Sequence, residues 1–323
     1  MAVPTGSYQT YSAVGEREDL SDIIFDITPM DTPFLTNARR ETATMTLYEW
    51  QTDSLAAAAN NAVIEGDDAT TNTASATSRL GNYTQISTKV PRVTGTLRAV
   101  DTAGRADELS YQISKRGREL KRDMETALCG NQAASAGGAA TARNLAGLGA
   151  WLSTNQVQQG AAATTPATTS GAPGTDPTAG TAATFVEANL QSVVKKCWDN
   201  GGNPGVIMCG SFNKQEASGF SGIGTLYRDA QPSGPMSPGS IIGAADVYVS
   251  DFGQHQIVAN RFQPAATIFS LDMEYWAVCY LRPIQTTELS KTGDSDRRML
   301  IAEYTLASLN EAASGKVYTT TTS

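Results

Sequence analysis

A chain with one histidine can run imidazole chemistry at one place only. Here that residue is His255, in GQHQI, so any Ser-His-Asp or Cys-His mechanism would have to pass through it. The segment reads as a polar hairpin turn with no partner set around it, and a turn residue is the expected role. A metal site built on several histidines is excluded. Glu65, Asp67 and Asp68 form a small acidic knot in EGDD, which could hold a cation or do acid–base work. Their spacing matches no calcium loop, so a solvated loop is expected. Cys129, Cys197, Cys209 and Cys279 contain no C-x-x-C pair, and Cys209 and Cys279 sit in apolar runs as buried small hydrophobes. No G-x-x-x-x-G-K-[ST] pattern occurs, and SGIGTL at 221–226 has two glycines without a strand directly before it. The expectation is therefore no catalytic, cofactor or metal site.

Bulk composition narrows the partners. The 323 residues are 40% apolar and only 17% charged, and the chain is rich in Ala, Thr, Gly and Ser. Such a neutral surface suits broad protein contacts. Twenty-four basic against 32 acidic residues give a net charge of −8, which argues against a direct grip on phosphates. The free-thiol pattern fits synthesis in a reducing cytosol. The polar, acidic start MAVPTGSYQTYSAVGERED is not a signal peptide, and no run of about 18 apolar residues predicts a membrane span.

The elements that would position these groups read as α+β. Residues 1–21 suggest an extended arm ending in Glu16, Arg17, Glu18 and Asp19. Leu20, Ile23, Ile24 and Ile27 then have helical spacing, with Pro29 as a stop and Pro33 at a turn. Two Thr-rich alternating stretches, 43–55 and 83–97, flank a polar segment and predict a long two-stranded ribbon. Residues 101–130 give the clearest helix, with Leu109, Ile113, Leu120, Met124 and Leu128 on one stripe, Asp101 as N-cap and Gly130 as stop. Its expected length is roughly 40 Å. Low complexity fills 133–183, where Leu145, Leu148, Trp151 and Leu152 can pack and 158–183 reads as a flexible surface loop. A helix capped by Thr184, a buried strand in PGVIMCG and a short helix from Ser211 follow. A hairpin turning near Asp251–Gly253 and three further strands complete the chain.

GEREDLSDIIFDITPMDTPFL, then YEWQTDSL on a Thr-rich ribbon, then RAVDTAGRADEL opening a long helix, resemble the SU10-like major head proteins of tailed bacteriophages. The resemblance rests most on Gly15–Leu20, Thr28–Phe34, Tyr48–Leu55 and Gly104–Leu128, and it fades in 133–183. It implies an HK97-like capsid fold. Residues 1–42 become the N-terminal arm and short helix, and 43–98 the extended loop. Residues 99–183 become the peripheral domain, with spine helix 101–130 and the 133–183 insertion. Residues 184–245 become the axial domain, and 246–323 strands shared between the two. It also implies a non-enzymatic subunit of pentamers and hexamers enclosing double-stranded DNA, assembled in the host cytoplasm into a virion capsid. Scaffolding, portal and decoration proteins are its possible partners, with DNA met only indirectly.

The contacts between copies implied by this assignment are Tyr48, Trp50, Asp53, Leu55, Arg79, Tyr83, Arg92, Arg116, Arg118 and Arg122. Lys89 is the only lysine expected in the ribbon and lies on its return strand, so no isopeptide cross-link is expected. A start at residue 1 leaves no room for a fused scaffolding domain on this reading. Two other classes stay open: a decoration or tail component, and a hydrolase using the carboxylates of Glu65–Asp68.

Overall fold

The computed structural model describes residues 29–68, 76–102, 104, 106–159, 168–169, 171–174, 177–178, 180–220 and 246–322. The helix expected at Leu20–Ile27 and the SGIGTL segment lie outside the described residues. Pro33 opens a helix where a turn was expected: α1 spans Pro33–Asn37, because a proline at the first position loses no helical hydrogen bond.

β1 (Arg39–Thr42), β2 (Leu47–Thr52) and β3 (Ser78–Tyr83) come next, then β4 (Gln85–Lys89), β5 (Arg92–Thr94) and α2 (Gly95–Ala99). The long helix α3 covers Glu108–Cys129. α4 (Leu148–Trp151), β6 (Gln156–Gln158), β7 (Thr168–Thr169) and β8 (Ala172–Pro173) occupy the low-complexity region. α5 (Glu187–Asp199), β9 (Val206–Cys209) and α6 (Ser211–Ser218) precede β10 (Val247–Ser250) and β11 (Gly253–Ala259). The last strands are β12 (Thr267–Leu271), β13 (Trp276–Glu288), β14 (Ser295–Ser308) and β15 (Gly315–Tyr318).

Two sheets organise these elements. The first runs β1-β13-β14-β4, with β5 also on β14. The second runs β10-β11-β9-β12-β15-β6. Helix α3 lies over the first sheet and buries Leu120, Met124 and Leu128 with Leu300, Ala302 and Tyr304 of β14. Each of those large side chains contributes roughly 2 kcal/mol by leaving water. Helices α5 and α6 cover the second sheet, where Leu190, Val193, Val194 and Ala217 meet Ile207, Ile257, Ile268 and Val317.

Several local expectations shift. Helix α3 starts at Glu108, not Asp101, because the Asp107 carboxylate accepts from the Leu109 and Ser110 amides at 3.3 and 3.2 Å. A side-chain cap of that kind contributes about 1 kcal/mol. Its 22 residues reach about 33 Å, less than the sequence suggested. Helix α5 starts after Val186, and Thr184 makes no cap. The ribbon also pairs differently. Its return strand is β3, with Leu47 opposite Tyr83 and Thr52 opposite Ser78. The alternating residues beyond it leave the ribbon, and β4 and β5 pair with β14 in the first sheet. The Leu145–Leu152 patch is buried as expected, but the 158–183 stretch is not all surface loop. Ala172 and Pro173 are buried, and the Pro173 carbonyl accepts from the Ala134 amide at 2.8 Å.

Gly117 sits in the middle of α3, where a side-chain carbon would meet Leu300 Cδ2 at 3.6 Å, an ordinary contact. Glycine there costs helix propensity without serving close packing. Gly117→Ala should raise the unfolding free energy by about 1 kcal/mol. Urea titration of the unassembled chain checks this, and a lowered midpoint would show that α3 needs the glycine.

Candidate intersubunit interface

The ribbon β2–β3 has two unlike ends. At its root, Trp50 packs on Trp151 with ring centroids 5.3 Å apart, and on Tyr48 at 6.0 Å. Tyr48 donates to the Glu41 carboxylate at 2.9 Å. Burial, with Glu41 adding to it, pushes the Tyr48 hydroxyl well above its usual range. Asn82 is fully buried. Its amide donates to the carbonyls of Ala146 (3.1 Å) and Leu306 (2.8 Å), and its oxygen accepts from the Ala146 amide at 2.8 Å. The Tyr83 carbonyl accepts from the Thr305 hydroxyl at 2.9 Å. The insertion closes the same root, with the Gly81 amide donating to the Gly171 carbonyl at 3.1 Å. Gly171 has φ +78°, and a side-chain carbon there would fall 2.5 Å from the Arg79 carbonyl, so this approach requires glycine.

The far end is the opposite. Residues 53–68 have no strand or helix and are exposed throughout. Leu55 is 98% exposed, and Val63 and Ile64 are 78% and 80% exposed. Three large apolar side chains on one open loop gain nothing from this chain alone.

The expected contact residues fall into three places. Asp53 and Leu55 lie on the open loop, and Arg79 lies beside it, exposed and paired with Glu49. Tyr48, Trp50 and Tyr83 are half-buried in the root. The other four lie elsewhere. Arg92 belongs to β5, where its Nε donates to Ser295 Oγ at 2.9 Å. Arg116 pairs with Glu119 at 2.6 Å, Arg118 approaches Met30, and Arg122 stacks on Phe262, all along α3. Sequence reasoning missed Val63 and Ile64, although two β-branched residues inside a polar stretch were the available signal. It read β10 as one arm of a hairpin, but not that this arm is a sheet edge exposing Val247 and Val249.

The groups first considered for chemistry are placed as structure. His255 is not a polar turn residue; it is fully buried on β11. Its Nδ1 faces the Pro204 carbonyl, which can only accept, so Nδ1 carries the proton and Nε2 accepts from the Ser250 hydroxyl at 2.7 Å. This fixes the β10–β11 turn, which falls where the sequence placed it. Glu65, Asp67 and Asp68 are exposed around Gly66. Among the described residues no group of three His, Cys, Asp or Glu is placed to hold a metal. All four cysteines are free and buried. Burial pushes the thiols of Cys197 and Cys279 up to about 12 and that of Cys209 to about 11, so they are unreactive at neutral pH. Among the described residues, no helix is long and apolar enough to cross a membrane.

What this geometry presents is a rooted, projecting ribbon on a two-sheet body with a long covering helix. The family model described as SU10 major capsid protein matches residues 3–322. The chain belongs to the SU10 major capsid protein family. Over 350 aligned residues this capsid subunit is 28% identical to the major capsid protein of Escherichia phage Phieco32, covering 99% of this chain and 98% of that protein. Its fold is that of HK97-like phage capsids. The cyanophage A-1(L) capsid asymmetric unit is similar at a TM-score of 0.63 with 13% identity, over 97% of this chain and 98% of that one. The capsid of a native GTA particle is similar at 0.60 with 11% identity, over 95% and 96%. The α+β class and the capsid resemblance read from the sequence thus hold.

If Asn82 roots the ribbon, truncating it strands buried polar groups of Ala146 and Leu306. Asn82→Ala should cost the capsid subunit about 3 kcal/mol of stability, read as a lower denaturation midpoint of the unassembled chain. An unchanged midpoint would show that the ribbon is not fastened there.

Proposed function

We propose that copies of this capsid subunit assemble into pentamers and hexamers of a closed icosahedral head enclosing double-stranded DNA. The subunit acts without catalysis, by fitting to its neighbours, and assembly takes place in the host cytoplasm. The observation that carries this reading is the contrast within the ribbon: a root locked into its own body and a loop tip with Leu55, Val63 and Ile64 in solvent. A hairpin of that kind is marginal alone, and a neighbour's surface would cover its tip. Interfaces of obligate assemblies bury about 2,000 Å² or more, and closed symmetry repeats each contact around the shell.

On this reading α3 and the first sheet form the peripheral domain, and the second sheet with α5 and α6 forms the axial domain. Residues 53–68 serve as the extended loop, and Asp53, Leu55 and Arg79 are its contacts to the next subunit. Tyr48, Trp50 and Tyr83 act one step back, by aiming the loop. Lys89 lies on β4, not the ribbon, with its ammonium 2.7 Å from the Asp123 carboxylate. No covalent cross-link through it is proposed. Scaffolding, portal and decoration proteins are further partners. With a net charge of −8 the subunit surrounds DNA without gripping it.

The test is assembly of the full chain carrying Leu55→Asp and Ile64→Asp. Both side chains are exposed, so the variant should unfold at the midpoint of the parent. Electron microscopy should then show shells or rings for the parent and none for the variant. Shells of unchanged size and yield from the variant would overturn the role given to the loop. A monomeric parent would overturn the assembly itself.

A further inference from the structure

Lys115, Arg118 and Arg122 are spaced by three and four on α3, so they form one stripe. That stripe points away from Leu120 and Met124, which face the sheet. Around it the charge is mostly positive. The Arg122 guanidinium lies 5.3 Å above the Phe262 ring, and its buried Nε has no hydrogen-bond partner among the described residues. Arg261, next to Phe262 in sequence, and Lys121 are exposed. Among the acids of the same helix, Glu119 pairs with Arg116, Asp123 pairs with Lys89, and Glu125 accepts from the Phe34 and Leu35 amides. Asp31 is exposed.

The described chain begins beside this stripe. The Arg118 guanidinium lies 3.5 Å from the sulfur of Met30, itself 53% exposed. The residues before Pro29 include Glu16, Glu18, Asp19, Asp22 and Asp26 against the single Arg17. Asp19, Asp22 and Asp26 repeat the same three-then-four spacing, in a stretch whose sequence has helical periodicity. Asp26 is four residues before Met30, within roughly 14 Å even at full extension. The stripe from Lys115 to Arg122 is about 10 Å long. Reach, charge and spacing thus all match within one chain.

We propose that the acidic segment Glu16–Asp26 docks along the Lys115–Arg118–Arg122 stripe of its own α3. Asp19, Asp22 and Asp26 face the three cations, and one carboxylate meets Arg122 Nε. The N-terminal segment would then run beside the long helix of its own subunit. This goes beyond the assembly reading and does not depend on it.

Zero-length carbodiimide coupling tests the placement on the full chain, by joining carboxylates to lysine amines in contact with them. Cross-linked peptides should join residues 16–26 to Lys115 or Lys121. In particles or solutions made from equal parts of ¹⁴N and ¹⁵N chain, each cross-linked pair should carry one isotope only. Arg118→Glu with Arg122→Glu should cut the yield by about tenfold, as expected for two ordinary ion pairs. Arg118→Lys with Arg122→Lys should preserve or raise it, and also shows that the site tolerates substitution. Mixed-isotope pairs would assign the stripe to a neighbouring copy's segment and overturn the proposal. Absence of these cross-links in the parent and in the lysine variant would overturn it as well.

Discussion

A projecting ribbon is useful only if its root does not move, and one buried amide does most to hold this one. Asn82 has four hydrogen-bonding positions, and three are used against backbone groups of Ala146 and Leu306. Those partners belong to different parts of the chain. Leu306 is on β14, the central strand of the first sheet, and Ala146 lies in the low-complexity region before α4. One side chain therefore joins ribbon, sheet and insertion. Neither a hydrophobic residue nor a charged one could replace it, because the backbone groups it meets are both donor and acceptor.

Glu303 reinforces the same junction with full charge. It is buried on β14, accepts from the Thr84 hydroxyl at 2.9 Å, and pairs with Arg143 at 2.6 Å and Arg282 at 2.8 Å. A buried carboxylate is costly unless its lone pairs are filled, and here two cations and a hydroxyl fill them. Removing one partner would leave an uncompensated charge, so the cluster acts as a specific lock on how these segments meet. It lies just beyond the ribbon root, between β4 and β13. Rigidity thus builds up at the base while residues 53–68 stay exposed.

How far the sequence exposed this arrangement follows from what each signal measures. Periodicity reports which face of an element is buried, so the stripe of α3, the buried PGVIMCG strand and the Leu145–Leu152 patch were readable. It does not report the partner. Residues 83–97 alternate like a ribbon strand, but β4 and β5 pair with β14, more than 200 positions away in sequence. A similar ambiguity moved the start of α3, since Asp101 and Asp107 are both chemically able to cap. Asp107 does so, its carboxylate accepting from the Leu109 and Ser110 amides. His255 misled for the opposite reason. Polar neighbours suggested solvent, whereas the Pro204 carbonyl and the Ser250 hydroxyl, one remote and one across the turn, satisfy its ring. β15 was missed because its four residues begin with glycine and carry Lys316, a poor strand signal despite full burial. Of the candidate contacts, those on the loop were legible as an exposed polar stretch. Their division into tip and root was not, because it depends on Trp151 and Leu306.

The long helix explains why such different surfaces coexist on one subunit. One side of α3 is a core element, and its C-terminal part holds Glu125, a buried carboxylate that accepts from the amides of Phe34 (2.9 Å) and Leu35 (2.8 Å) and from the Asn260 side chain (2.7 Å). Burial pushes the Glu125 carboxyl above its usual range, while those donors pull it back, first the two amides and then Asn260. The first turn of α1 is thereby tied to the long helix, and Asn260 ties in the loop after β11. The start of α1 is therefore held at a fixed place against α3. Asp123, on another side of the same helix, fastens β4 through Lys89. The helix thus holds two junctions at once: the first turn of α1, through Glu125, and the strand that follows the ribbon root, through Asp123. α3 is therefore a core element and the fastening point of two junctions at the same time.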